Sequence, residues 1–132
     1  MSGTTPARVV IADDDPDIRA LVSIAVRKAG LELVEAAEDG TAAWYALQSH
    51  RPDLAVLDVS MPGMTGLDLC RLARTDASLA GIHIVLLTAA VDDQSRAAGL
   101  DAGADDFFVK PFSPKELAAT LSALMIEKSL TR

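Results

Sequence analysis

The 132 residues predict an α/β fold on a doubly wound parallel sheet, and three observations predict it. Short apolar runs alternate strictly with helical patterns, strand then helix, five times along the chain. The middle run, Leu54 to Leu57, is too short for a helix and suits a strand buried on both faces. Crossovers between parallel strands are right-handed, which leaves helices on both faces of the sheet as the simplest arrangement.

Taken in order, Arg8 to Ala12 is a β-branched run that stops at Asp13-Asp14-Asp15-Pro16. Asp15 suits an N-cap and Pro16 the first helical position, where a missing N–H is harmless. Ile18, Leu21, Val22 and Ala25 then recur at helical spacing, and Gly30 stops the helix. Leu31 to Ala36 alternates partly and predicts a second strand; Thr41 to His50 predicts a helix closed by Pro52. Beyond the central strand, Pro62, Gly63 and Gly66 mark a turn, and Gly66, Leu69, Cys70 and Ala73 form one apolar helical stripe.

Ile82 to Leu87 predicts a fourth strand that ends in Thr88. Asp92 to Ala102 is a helix with few large apolar residues and Gly99 inside it, terminated by Gly103. Phe107, Phe108 and Val109 form a short fifth strand before Lys110-Pro111. Ser113-Pro114-Lys115-Glu116 reads as a capping box, and Leu117, Leu121 and Leu124 line the core face of the helix it opens.

Composition narrows the function. A chain of this length buries roughly two-thirds of its unfolded surface, so it needs no disulfide or structural metal to hold a core. It reads as a single domain over residues 1–132 with a core from about 7 to 128. The lone cysteine, Cys70, cannot pair within the chain, which fits a reducing, cytoplasmic setting. No signal peptide and no membrane span is legible. The net charge of −7 argues against nucleic-acid binding by this domain itself.

Ligands of open α/β sheets bind beyond the carboxyl ends of the strands. Four of the five strands end there in a charged or reactive group: Asp13 and Asp14, Asp58, Thr88, and Lys110. Carboxylates meeting at one edge raise one another's pKa, and a hard divalent cation bound through oxygen removes the conflict. Mg²⁺ suits best, although these residues do not separate it from Mn²⁺. A phosphoryl group is the natural partner of such a site. Asp58 supplies a carboxylate nucleophile, while Lys110 and the Thr88 hydroxyl face the transferring oxygens.

This pattern resembles the receiver domain of two-component response regulators along essentially the whole chain. The motifs are the Asp13-Asp14 pair, Leu57-Asp58-Val59-Ser60-Met61-Pro62-Gly63, Thr88-Ala89, and Gly103-Ala104-Asp105-Asp106-Phe107-Phe108-Val109-Lys110-Pro111-Phe112. The resemblance implies a flavodoxin-like (βα)5 fold with strand order 2-1-3-4-5. It makes Asp58 the phosphoacceptor and assigns Asp13, Asp14, Asp58 and the backbone carbonyl of Ser60 to Mg²⁺. Thr88 and Phe107 become the switch pair. Many family members carry Tyr at the second position, and Phe107 lacks that hydroxyl. The Lys110–Pro111 bond is expected to be cis.

The implied partner is a sensor histidine kinase or a histidine phosphotransfer protein. The implied output face is the fourth helix, fifth strand and fifth helix, through which related winged-helix regulators dimerise; those commonly carry Arg where this chain has Thr120. A metal-dependent phosphatase of the haloacid dehalogenase type is the enzymatic alternative. It carries a second Asp two residues after its nucleophile, where this chain has Ser60. A receiver that no longer takes phosphate and serves as a constitutive docking module is the third reading. Asp15 is read as a cap, Cys70 as core, and His50 and His83 as isolated residues. Trp44 and Tyr45 are read as packing on or covering the second helix.

Overall fold

A computed structural model describes residues 6–89 and 92–130. Strands and helices alternate as β1 (Arg8–Ala12), α1 (Pro16–Lys28), β2 (Glu32–Ala37), α2 (Gly40–His50) and β3 (Leu54–Asp58). They continue as α3 (Gly66–Thr75), β4 (His83–Thr88), α4 (Asp93–Ala102), β5 (Asp106–Val109) and α5 (Pro114–Leu130). All strand pairs are parallel, in the order β2-β1-β3-β4-β5. The fold is therefore the flavodoxin-like α/β arrangement expected from the sequence.

Alternation along the strands divides the core into two layers. Val10, Ala55, Leu57, Ile84 and Leu86 pack toward α2, α3 and α4, against Leu47, Leu69, Cys70 and Ala73. Val9, Ile11, Leu54, Val56, Val85 and Leu87 pack toward α1 and α5, against Val22, Val26, Leu117 and Leu121. The stripe predicted for α3 is the buried one. Trp44 packs on the first layer, whereas Tyr45 is 67% exposed.

Local signals set most of the boundaries. The Asp15 side chain accepts from the N–H groups of Asp17 and Ile18, with Pro16 directly behind it. Asp92 caps α4 and left-handed Gly103 ends it. At α5, Ser113 Oγ accepts from the Glu116 N–H, but the Glu116 carboxylate takes the Ser113 hydroxyl, so the capping box is only half formed.

The strands begin where turns release the backbone. Leu31 N–H still bonds to Val26 O at the end of α1, so β2 starts at Glu32 instead of Leu31. Ile82 N–H bonds to Leu79 O in a turn, which shifts β4 to His83–Thr88. Helix α2 starts one residue early, because Asp39 caps it through the Ala42 N–H.

Candidate functional site

Strand β3 carries the central carboxylate. Leu54, Val56 and Leu57 are fully buried, at roughly 1.5–3 kcal/mol each. That burial is enough to hold Asp58 at only 5% exposure at the strand end, where a desolvated carboxylate costs several kcal/mol. Parallel pairing with β1 and β4 sets Asp58 beside the residues that follow those strands.

The same edge collects the other predicted groups. Asp13 is buried, Asp14 is exposed, and their carboxylate oxygens lie with that of Asp58 within 4.8 Å of one another. Lys110 Nζ sits 3.1 Å from Asp13 Oδ2 and 3.1 Å from Asp58 Oδ1. The Lys110–Pro111 peptide is cis, as expected. Thr88 is buried at the end of β4, and its carbonyl accepts from the Lys110 N–H at 2.8 Å. Ser60 is exposed at the mouth of the site, and its nearby backbone N–H favours the charged form of Asp58.

The electrostatics are unbalanced. Burial foremost, then the negative charge of Asp13, pushes the Asp58 carboxyl above its ordinary value; Lys110 pulls it down without cancelling the rise. Burial disfavours the Lys110 charge, but its close pairing with the Asp13 and Asp58 carboxylates outweighs it and holds the ammonium above its usual range. Asp13 Oδ1 accepts the Asp15 N–H at 3.0 Å, while Asp13 Oδ2 is buried with only the ion pair and no aligned hydrogen bond. Among the described residues the Lys110 ammonium pairs with two of the three carboxylates, and one of those two keeps an oxygen with no aligned donor. That hard-oxygen donor set fits a divalent cation that retains part of its water shell.

Several positioning residues carried no sequence signal of their role. Arg19 donates to the Asp13 carbonyl at 2.9 Å, and the Asp13 N–H donates to Ala37 O at 3.2 Å, which fixes the first acidic turn from both sides. Gly40 donates to Pro62 O at 3.2 Å, and a Cβ there would collide with the Met64 carbonyl. The loop after Asp58 is thus seated on the start of α2, and the Asp39-Gly40 pair was the one available hint. Cys70 belongs to the core, where burial pushes its thiol up to about 11. His50 pairs with Glu35 at 2.9 Å, away from the acidic cluster.

Beside Thr88 a cleft of about 360 Å³ opens between α3 and α4, lined in part by Val59, Leu67, Thr88, Ser95, Ala98 and Phe107. It runs from Ser60 and Thr88 at the carboxyl edge to Ala98 of α4 and Phe107 of β5.

Comparison with known proteins places this geometry in a family. Residues 9–122 match the response regulator receiver domain. The chain is 42% identical over 120 residues to the DNA-binding response regulator MtrA of Mycolicibacterium smegmatis, covering 91% of this chain and 51% of that protein. It is 38% identical over 117 residues to the phosphate regulon transcriptional regulatory protein PhoB of Pseudomonas aeruginosa, covering 89% and 51%. It therefore spans about half the length of the curated relatives it matches. The chemotaxis response regulator CheY4 of Vibrio cholerae superposes with a TM-score of 0.84 at 35% identity, over 91% of this chain and 99% of that one.

The chain belongs to the response regulator receiver domain family. It is the phosphoacceptor module of a two-component system and not a classical enzyme. Its Asp13, Asp14 and Asp58 cluster is typical of the family's phosphorylation pocket and consistent with its divalent metal site.

Proposed function

We propose that Asp58 accepts a phosphoryl group from the phosphohistidine of a sensor histidine kinase or a histidine phosphotransfer protein. The observation that carries this reading is Lys110 held 3.1 Å from both Asp13 and Asp58. A carboxylate needs no general base to attack phosphorus. An Asp58 oxygen forms the new P–O bond as the P–N bond breaks, and the imidazole leaves with that electron pair and takes a proton. Water later cleaves the acyl phosphate, which returns Asp58.

Asp13, Asp14, Asp58 and the Ser60 carbonyl would hold Mg²⁺, with Mn²⁺ an acceptable substitute. The bound ion supplies charge neutralisation for the phosphoryl oxygens. The chain supplies the rest. Lys110 gives a fixed ammonium, Asp13 fixes that ammonium's position, and the Thr88 hydroxyl donates to a phosphoryl oxygen. Up to about two negative charges then stand at the end of β3. Thr88 moves toward them and Phe107 fills the space it leaves, which shifts the α4–β5–α5 face between two populations. That face would meet a partner, an output domain or a second copy of this chain. The MtrA relative is a DNA-binding regulator by name, and an output of that class fits a receiver that is itself acidic, with a net charge of −7. A cytoplasmic setting accords with the receiver family. Among the described residues no helix is long and apolar enough to cross a membrane.

Intact mass after incubation with acetyl phosphate and Mg²⁺ tests the reading. A Mg²⁺-dependent phosphoryl adduct on the wild type, absent from Asp58→Asn, is the expected result. No adduct, together with no binding of beryllofluoride and Mg²⁺, leaves a constitutive docking module in its place.

A further inference from the structure

Phe107 owes its seat to a residue in another element. In β5 it pairs with Leu86 of β4, and both side chains face the α3–α4 layer. Gly99 of α4 lies directly over the ring. A Cβ at position 99 would overlap Phe107 Cζ, lie 2.5 Å from Phe107 Cε1 and stand 3.3 Å from Leu86 Cδ1. Glycine within a helix is unfavourable by roughly 0.5–1 kcal/mol relative to alanine, and Gly99 has an ordinary helical backbone, so conformation alone gives it no reason to be there. Contact with the ring does.

We propose that Gly99 is a positioning residue for the switch: its missing side chain forms the socket that admits the Phe107 ring beneath α4. The ring also lines the 360 Å³ cleft beside Thr88, so the socket holds it next to the space that Thr88 vacates and sets how readily it moves inward. A methyl group at 99 meets the far end of a side chain rather than backbone, so the ring yields and the protein still folds. The inward population falls, and with it the apparent affinity of the site for any phosphoryl mimic that requires the ring inside. This inference rests on the reading of Asp58 as phosphoacceptor.

A double-mutant cycle tests it with Gly99→Ala, Phe107→Leu and the combination, each read by beryllofluoride titration in Mg²⁺ and by urea unfolding. Leu is shorter and ends before the socket. With Phe107 present, Gly99→Ala weakens beryllofluoride binding by about three- to tenfold and lowers the urea midpoint. In the Phe107→Leu background the same change alters binding less than about twofold and raises the midpoint, as helix propensity alone demands. Equal effects of Gly99→Ala in the two backgrounds, or none in either, overturn the socket. A wild type that binds no beryllofluoride overturns the phosphoacceptor reading and the switch role with it. The urea cycle then still decides separately whether the ring is seated on Gly99.

Discussion

At the carboxyl end of the sheet one ammonium serves two carboxylates; at the amino end one guanidinium makes four hydrogen bonds. Arg74, near the end of α3, donates Nε to Gly103 O at 2.8 Å and a second nitrogen to Ala80 O and Ile82 O at 3.0 and 2.6 Å. Its third nitrogen meets Asp105 Oδ2 at 2.7 Å, and that same oxygen accepts the Ile84 N–H at 2.8 Å. This network ties α3, the start of β4 and the α4–β5 turn together, with four of the five guanidinium N–H groups engaged. The Lys110 site differs in kind. It gathers buried charge of one sign, leaves Asp13 Oδ2 without an aligned donor and pushes Asp58 above its ordinary pKa. A network whose acceptors are all met holds a fold, whereas one with an unmet oxygen is held by the fold and open to a ligand.

The comparison can be broken from its stable side. Arg74→Met strips four acceptors of a charged donor and is expected to destabilise the protein by about 2–3 kcal/mol, since hydrogen bonds to charged groups are the strong ones. Urea unfolding measures this, and a loss below about 0.5 kcal/mol means the clasp is ornamental.

The opposite sign is expected at the site. Without divalent cations, Asp58→Asn raises stability near neutral pH by about 1 kcal/mol, the usual sign when a strained functional group is removed. The pH dependence sharpens this. A carboxyl whose folded pKa lies above the unfolded value of 3.8 binds more protons folded than unfolded between the two. Its contribution to stability therefore falls as pH climbs through that window and stays low above it. The gap between Asp58→Asn and wild type should be near zero below the unfolded value and reach its plateau at neutral pH. A gap independent of pH shows that burial of charge is not what strains the site.

The smallest effect belongs to an ordinary surface pair. His50 and Glu35 meet at 2.9 Å with side chains 30% and 43% exposed. Glu35→Gln should change the unfolding free energy by no more than about 0.5 kcal/mol, and less in high salt. A larger cost would make surface pairing as important here as the Arg74 clasp.

Local chemistry made much of this molecule legible in advance. The Asp15-Pro16 start, the stripe Gly66, Leu69, Cys70 and Ala73, and the Gly103 stop depend on neighbours in the chain, and each stands where expected. The polar residue at the end of four of the five strands was equally readable, because a short apolar run has only one carboxyl end. Boundaries moved by one residue where a turn took a backbone N–H, as at Leu31 and Ile82.

What the chain by itself determined, then, is which residue types stand at the ends of its strands and which helical faces are apolar, since periodicity and turn residues act over a few positions. Tertiary structure alone decided the rest. Strand order and register set Lys110 between Asp13 and Asp58, and burial of that edge raised the Asp58 pKa. Arg74 could not be read, because most of its partners are backbone carbonyls, which every residue possesses. Gly99 looked like a weakness in a helix until the Phe107 ring was found against it. Contacts between distant segments depend on how crossovers pack, and no local pattern encodes that.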